Sequence, residues 1–173
     1  RGIPLGKVVD CVSVINTGAK YNTEVFQFSV GLNGVGTKAV NALSDEFTVT
    51  AFRDGQFKSA RFVQGVLAEE EEGTTKEKNG TLVEFHPDPS LFPGFQFDPQ
   101  YVDQRLWRYA YLNSGLSLSL DGTIYLSKNG LLDLLDREVN SDSIYPPIHF
   151  ADKVLEFAFT HTDDYGESYF SFV

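Results

Sequence analysis

The chain of 173 residues contains no methionine and a single cysteine, Cys11. A single cysteine excludes a disulfide within the chain and suits a reducing compartment, so we expect a cytoplasmic location. No apolar run approaches the roughly 18–20 residues that a membrane-spanning helix needs, which excludes membrane insertion. The amino end lacks the pattern of a signal peptide as well.

Positive charge is also scarce, with 14 Lys and Arg against 24 Asp and Glu and a net charge of −10. Because DNA affinity depends largely on Lys and Arg contacts with phosphates, this chain is not expected to bind DNA by itself. Its 42% hydrophobic and 14% aromatic residues are enough for a folded core. The lack of methionine and the opening "RGIP" predict a piece of a longer protein.

Hydrophobic periodicity predicts helices at 5–17, 37–44 and 99–113 and a short helix in "NGLLDLLDREV". In the third of these, one face is expected to carry Val102, Leu106, Tyr109 and Ala110. Asp54-Gly55 and Asp121-Gly122 each lie between β-rich runs, which predicts two hairpins. A further strand is predicted at 80–87 and two strands after Lys153, whereas the charge run at 68–80 is typical of a solvated loop. These elements predict an α+β fold with a mixed, mostly antiparallel sheet and helices on one face.

The segment "GLNGVG" at 31–36 has three glycines just before a predicted helix. It fits neither the G-x-G-x-x-G of dinucleotide-binding folds nor a P-loop, because Lys38 lies two residues after the last glycine. A helix start directly after glycines favours the approach of an anion, so a phosphate-binding loop is one hypothesis. A tight packing turn is the alternative.

The histidines His86, His149 and His161 have no metal-ligand spacing, so no metal site is predicted. Cys11 lies on the apolar side of the first helix and is interpreted as a core residue. No Ser-His-Asp arrangement is indicated, and no catalytic residue is predicted in the chain.

Three motifs, "RGIP" at 1–4, "GLNGVGTKAVNALS" at 31–44 and "GTLVEFHPD" at 80–88, occur in the order found in one family. With "LWRYAYLNSGLSLSL", they make the chain resemble the ATPase region of bacterial type IIA DNA topoisomerase B subunits, topoisomerase IV more than gyrase. The resemblance implies the two-layer α/β sandwich of the GHKL superfamily. It also implies a partial ATPase domain at 1–145 and the first strands of a transducer domain at 146–173.

The resemblance assigns nucleotide contacts residue by residue. Arg1 matches an arginine at the rim of the nucleotide pocket. Gly2, Ile3 and Pro4 match the end of a family motif, in which Ile3 and Pro4 form the apolar floor of the pocket. Thr81 matches a threonine that shares a water with adenine. The lid segment around the triphosphate comprises Gly31, Leu32, Asn33, Gly34, Val35, Gly36 and Thr37. Arg53 resembles an arginine at the pocket mouth that aminocoumarin inhibitors contact. Gln27 departs from the family, whose members mostly have lysine there.

The family's catalytic glutamate, adenine-reading aspartate and magnesium ligand would all precede Arg1. The resemblance therefore implies ATP with Mg²⁺ as cofactors of the parent protein, and no metal ligand or turnover in this chain. Its implied partners are ATP, a second B subunit, the topoisomerase A subunit, and DNA through the parent protein. The alternative is a standalone, degenerate GHKL-like module that binds a nucleotide or a protein without turnover.

Overall fold

The computed structural model describes residues 4–17, 34–139 and 143–172. The chain divides into two compact units, residues 1–96 and 97–173. Each unit packs around strands and helices of its own.

The first unit is built on a four-stranded antiparallel sheet with the strand order β3-β2-β1-β4. Its strands are β1 (Ser44–Arg53), β2 (Gln56–Val63), β3 (Val66–Thr74) and β4 (Gly80–Pro87). The predicted hairpin at Asp54-Gly55 is confirmed, with φ of 52° and 78° at the two turn residues. Gln64-Gly65 forms a second such turn, with φ of 49° and 77°. The sequence did not indicate this turn, because glutamine is not a typical residue for a positive φ.

Strand β3 corrects the prediction of a solvated loop at 68–80, which was wrong up to Thr74. The acidic residues of this exposed edge strand lie opposite cations of β2. Lys58 Nζ lies 2.9 Å from Glu70 Oε2, and Arg61 Nε lies 3.5 Å from Glu69 Oε2. Cross-strand pairs of opposite charge stabilise the strand, and charge on an edge strand opposes pairing with other chains.

Two short helices cover one face of this sheet. A 3₁₀ turn (Leu5–Lys7) leads into α1 (Val8–Ser13), and α2 (Gly36–Ala42) precedes β1. The helix predicted at 5–17 is therefore shorter, since Val14 is extended with ψ of 124°. The helix predicted at 37–44 is confirmed within two residues. The buried core of this unit comprises Val8, Val12, Phe47, Val49, Ala60 and Phe62.

The second unit begins with α3 (Pro99–Leu112), whose amino end is capped by the Asp98 carboxylate. It continues with the hairpin of β5 (Ser117–Leu120) and β6 (Thr123–Leu126) and with α4 (Leu131–Glu138). The predicted helix, Asp-Gly hairpin and short helix are confirmed. α3 packs on β6 and α4. Of the predicted apolar face, Ala110 is buried and Val102 and Leu106 are half-buried, as expected. Tyr109 is instead 55% exposed, and Tyr111, which the prediction did not include, is buried.

The last hairpin of the second unit pairs β7 (Ile148–Ala151) with β8 (Glu156–Phe159). The prediction of two strands after Lys153 was half wrong, because residues 160–172 contain no strand and β7 precedes Lys153. α4 contacts β8, so these contacts join elements on both sides of the predicted domain boundary at 145/146. That boundary remains a prediction. The helices of the described ranges are too short or too polar to span a bilayer.

Candidate functional site

The predicted site residues fall into two groups. Arg1, Gly2, Ile3, Gly31, Leu32 and Asn33, like Gln27, lie outside the described residues. The structure describes Pro4, Arg53, Thr81 and the second half of the glycine segment, Gly34 to Thr37.

Gly34 has a backbone conformation and surroundings that require glycine. Its φ is +57°, in the left-handed region that favours glycine. A Cβ at this position would lie 2.7 Å from the carbonyl oxygen of Thr17 and 3.3 Å from Nζ of Lys38. The atoms that approach Gly34 are thus groups of the chain itself. Gly34 therefore forms a tight packing turn. This holds whether or not the rest of the segment binds a ligand.

The residues after Gly34 are open to solvent. Val35, Gly36 and Thr37 are exposed, and a Cβ at Gly36 would meet no atom within 4 Å. Because α2 starts at Gly36, its first backbone N–H groups have no acceptor within the helix. This short stretch therefore combines accessible donors with room for a ligand.

Lys38, on the first turn of α2, turns back toward the glycine segment. Its ammonium donates a hydrogen bond of 2.8 Å to the Thr17 carbonyl oxygen, and its side chain is half-buried. Cys11 lies within electrostatic range: burial raises the pKa of the Cys11 thiol, and Lys38 acts in the opposite direction. A raised pKa keeps the thiol protonated. Cys11 is half-buried and lies outside the buried core of this unit, so its interpretation as a core residue is not confirmed.

The carboxyl end of α2 is fixed by several contacts. The Asn41 side chain, 2% exposed, donates through Nδ2 to the Val12 carbonyl of α1 at 3.0 Å. The Leu43 carbonyl accepts a hydrogen bond from the backbone N–H of Asp88. Gly65 packs on Ala42 so closely that a Cβ on Gly65 would lie 3.2 Å from the Ala42 Cα. These contacts tie the helix to α1, to the β2–β3 turn and to the end of β4.

Asp88 is the centre of this anchorage. Its carboxylate accepts hydrogen bonds from the backbone and hydroxyl of Ser90 and from Nε2 of Gln64. The Ser90 bonds in particular hold the pKa of the Asp88 carboxyl below its usual value. Asp88 was not among the residues singled out from the sequence, although an aspartate directly after a strand and two residues before serine is a signal for such a turn.

Thr81, Arg53 and Pro4 lie on other elements of the first unit. Thr81 pairs with Ala51, which packs against the core, so Thr81 lies on the helix-covered side of the sheet. Arg53 ends β1, with Nε 3.5 Å from the Asp54 carboxylate. Pro4 precedes the 3₁₀ turn, and its carbonyl accepts from Lys7 N–H. The described hydrogen bonds do not join Thr81 or Pro4 to the glycine segment.

The described residues do not provide a metal site. Within those ranges, no three His, Cys, Asp or Glu side chains lie close enough together to hold an ion. His86 and His149 instead bond single carboxylates, Asp45 at 2.9 Å and Glu156 at 3.0 Å. The residues of the described ranges therefore do not fit Mg²⁺.

Comparisons with known proteins point to one group. The chain is 53% identical to the B subunit of DNA topoisomerase 4 from Borreliella burgdorferi over 174 residues, which is 100% of this chain and 29% of that protein. It is 33% identical to the B subunit of DNA topoisomerase 4 from Bacillus subtilis, a match that covers 100% of this chain and 30% of that protein. It is 31% identical to the B subunit of DNA gyrase from Helicobacter pylori, where the match covers 100% of this chain and 26% of that protein. No protein-family model matches the chain.

A solved structure has the same fold at significant sequence identity. The crystal structure of the 43K ATPase domain of Thermus thermophilus gyrase B, in complex with an aminocoumarin, superposes with a TM-score of 0.63 and 32% identity. The match covers 72% of this chain and 38% of that one. The α+β architecture with an antiparallel sheet and helices is thus the fold of that ATPase domain. The chain spans about three-tenths of the length of the curated relatives that it matches.

Proposed function

We propose that this chain belongs to the bacterial type IIA topoisomerase B subunits, matches part of their ATPase region and forms the nucleotide-lid portion of that domain. The observation that carries the proposal is 53% identity to a topoisomerase 4 B subunit over the whole chain. That identity, against 31% for the gyrase relative named above, favours a topoisomerase IV type of subunit. The fold shared with a gyrase B ATPase domain supports it independently.

In this proposal, Gly31 to Thr37 wrap the triphosphate of ATP through backbone N–H groups. The exposure of Val35, Gly36 and Thr37 supports that role, because a ligand can reach them. The site is completed by Arg1 at its rim and by Ile3 and Pro4, which follow Gly2 in the motif and lie beneath the adenine. Thr81 binds the adenine through a water. Arg53 would contact inhibitors at the mouth of the pocket. This assignment is supported by the similar gyrase B ATPase domain, whose structure contains a bound aminocoumarin.

Hydrolysis of ATP requires a general base and a magnesium ligand. We place both in a part of the topoisomerase B subunit outside the segment that this chain matches, because the described residues of the chain offer no metal-binding cluster. The chain alone would then bind a nucleotide weakly, with a Kd in the millimolar range, and would not turn it over. A lost charge-assisted hydrogen bond alone costs about 1.5–3 kcal/mol, or roughly tenfold to a hundredfold in affinity.

In the whole protein, ATP binding would close two B subunits into a clamp around a DNA duplex. The A subunit would cut and rejoin DNA, and hydrolysis would reopen the clamp. This acidic chain would contribute to the nucleotide site, and the DNA contacts would belong to other parts of the assembly.

The experiment replaces the matching segment of the Borreliella burgdorferi topoisomerase 4 B subunit with residues 1–173. We expect this chimaera to hydrolyse ATP, with stimulation by DNA in the presence of the A subunit. The isolated chain is tested in parallel by calorimetric titration of ATP with Mg²⁺ and by phosphate release. A folded chimaera that neither binds nor hydrolyses ATP would refute the proposal, and turnover by the isolated chain would refute the placement of the catalytic groups.

A further inference from the structure

Two Asp-Gly pairs lie at the tips of two-residue hairpins, one in each unit. Asp54-Gly55 joins β1 to β2, and Asp121-Gly122 joins β5 to β6. The backbone is alike at both tips, with φ of 52° and 78° at the first pair and 48° and 85° at the second. The two tips therefore differ in their surroundings rather than in the sign or size of these φ angles.

The tip of the first hairpin is held by the segment that precedes β4. Asn79 Oδ1 accepts a hydrogen bond of 2.8 Å from the Asp54 backbone N–H, and Asn79 Nδ2 donates one of 3.0 Å to Asp54 Oδ1. The Thr75 N–H donates to the Gly55 carbonyl oxygen at 2.9 Å. Arg53 Nε lies 3.5 Å from Asp54 Oδ2. Both the carboxylate and the backbone of this tip are thus fixed.

The tip of the second hairpin is exposed and lacks this support. Among the described residues, no group outside the turn makes a hydrogen bond or an ion pair with the Asp121 carboxylate or with the backbone of Gly122. The strand pairing ends with Leu120 and Thr123, so the Gly122 N–H lies outside the ladder. A Cβ on Gly122 would meet no atom within 4 Å, so nothing crowds the backbone of this tip.

An aspartate followed by glycine can form a five-membered succinimide ring with its own main chain. The Gly122 nitrogen attacks Cγ of the protonated Asp121 carboxyl, a C–N bond forms, and the carboxyl hydroxyl leaves with the amide proton as water. Hydrolysis at the main-chain carbonyl of residue 121 takes up one water and gives isoaspartate, whereas hydrolysis at Cγ restores aspartate. The reaction needs an accessible amide nitrogen, which glycine provides because it has no Cβ, and a carboxyl group that can turn toward it.

We propose that Asp121 is a site of spontaneous isoaspartate formation and that Asn79 protects Asp54 from the same reaction. Asp54 must give up its bonds to Asn79 before its carboxyl group can reach the Gly55 nitrogen, whereas Asp121 has no such bonds to break among the described residues. Hydrogen bonds of this kind correspond to about a tenfold difference in rate. The product lengthens the main chain by one methylene group beside the Leu120–Thr123 pair that closes the hairpin.

The test incubates the folded chain for several weeks at mildly acidic pH, where part of the carboxyl is protonated. Isoaspartate is located by electron-transfer dissociation of the tryptic peptides 54–58 and 109–128. We expect it to accumulate about tenfold faster at residue 121 than at residue 54. Asp121→Glu keeps the charge but would need a larger ring, so it is expected to abolish the product in peptide 109–128.

Asn79→Ala tests the protection directly. It is expected to raise the rate at Asp54 to that at Asp121 and to leave the rate at Asp121 unchanged. In urea, which removes the folded contacts, the two residues of the original chain are expected to react at similar rates. Far-ultraviolet circular dichroism checks that each variant is folded.

Three results would overturn the inference. Equal rates at the two residues of the folded original chain, or a faster reaction at Asp54, would show that the contacts of the first tip do not matter. Isoaspartate that forms at residue 121 in urea but not in the folded chain would show that the turn itself prevents ring closure. An unchanged rate at Asp54 in folded Asn79→Ala would refute the protective role of Asn79.

Discussion

The two ends of α2 are held in different ways. At the carboxyl end, Asn41 bonds α1, Leu43 bonds the backbone of Asp88, and Ala42 packs against Gly65. At the amino end, the described contacts are one hydrogen bond from Lys38 to Thr17 and the close approach of Thr17 to Gly34. Val35, which lies between Gly34 and Lys38 in the chain, has 45% of its surface exposed.

This difference indicates how a short helix can present an adaptable segment from a fixed base. α2 has seven residues, too few for a stable helix in isolation, so its conformation depends on tertiary contacts. Those contacts are concentrated at the end away from the glycines. We therefore expect structural change on ligand binding to be confined to the residues around the amino end.

The largest effect is expected from the replacement of Gly34 by valine. A β-branched residue at φ of +57° is strained, and its Cβ would lie 2.7 Å from the Thr17 carbonyl oxygen. We expect the free energy of unfolding to fall by about 2–4 kcal/mol. Urea denaturation of the chain measures this loss.

Gly36→Ala is the matched control for that substitution. Gly36 begins α2, and a Cβ there would meet no atom within 4 Å. Alanine is the better helix former, so we expect a change between zero and a gain of about 1 kcal/mol. Equal destabilisation by both substitutions would contradict the distinct role of Gly34.

A smaller loss of stability is expected from Asn41→Ala, which weakens the contact between the carboxyl end of α2 and α1. The variant loses the hydrogen bond to the Val12 carbonyl, but it also removes Oδ1, which is buried without a partner among the described residues. We expect a net loss of about 1–2 kcal/mol in the free energy of unfolding. Asn79→Ala, which removes two exposed hydrogen bonds with Asp54, is the control and is expected to change the free energy of unfolding by about 0.5 kcal/mol or less. A neutral Asn41→Ala would show that the contact with α1 does not anchor α2.

The smallest effect concerns pH and the Asp88 network. Because the pKa of this carboxyl is lowered in the folded chain, chiefly by hydrogen bonds from Ser90, its contribution to stability is present above the unfolded pKa of about 3.9. That contribution is lost as pH falls through the lower, folded pKa. We expect Asp88→Asn to be less stable than the original chain at pH 7, and the difference to shrink below about pH 4. The exposed Asp136→Asn serves as the control, and a difference that does not vary with pH would contradict the assignment.

The sequence predicted those parts of the fold whose signals are local. Asp-Gly pairs allow positive φ at both turn positions, so the hairpins at Asp54 and Asp121 were correct. Strand β3 was missed because an acidic run is typical of a solvated segment until its register opposite Lys58 and Arg61 is known. A cross-strand ion pair depends on tertiary pairing, which no single window of sequence contains.

The assignment of the site residues rests on resemblance and remains a prediction. The glycine segment was identified by resemblance, and the sequence left open whether its glycines serve an approaching anion or a tight packing turn. At Gly34 the approaching atoms belong to Thr17 and Lys38, and Thr17 lies 17 positions earlier in the chain. The anchorage at Asp88 was missed for the same reason, because its partners Gln64 and Leu43 are distant in sequence.

The most direct test of the central claim is the position of the amide shifts when the ¹⁵N-labelled chain is titrated with ATP. The proposed lid predicts that the largest shifts occur at Gly34, Val35, Gly36 and Thr37, with small shifts at Asn41 and Leu43. Saturable shifts concentrated in residues 97–173, with none at Gly34 to Thr37, would contradict it.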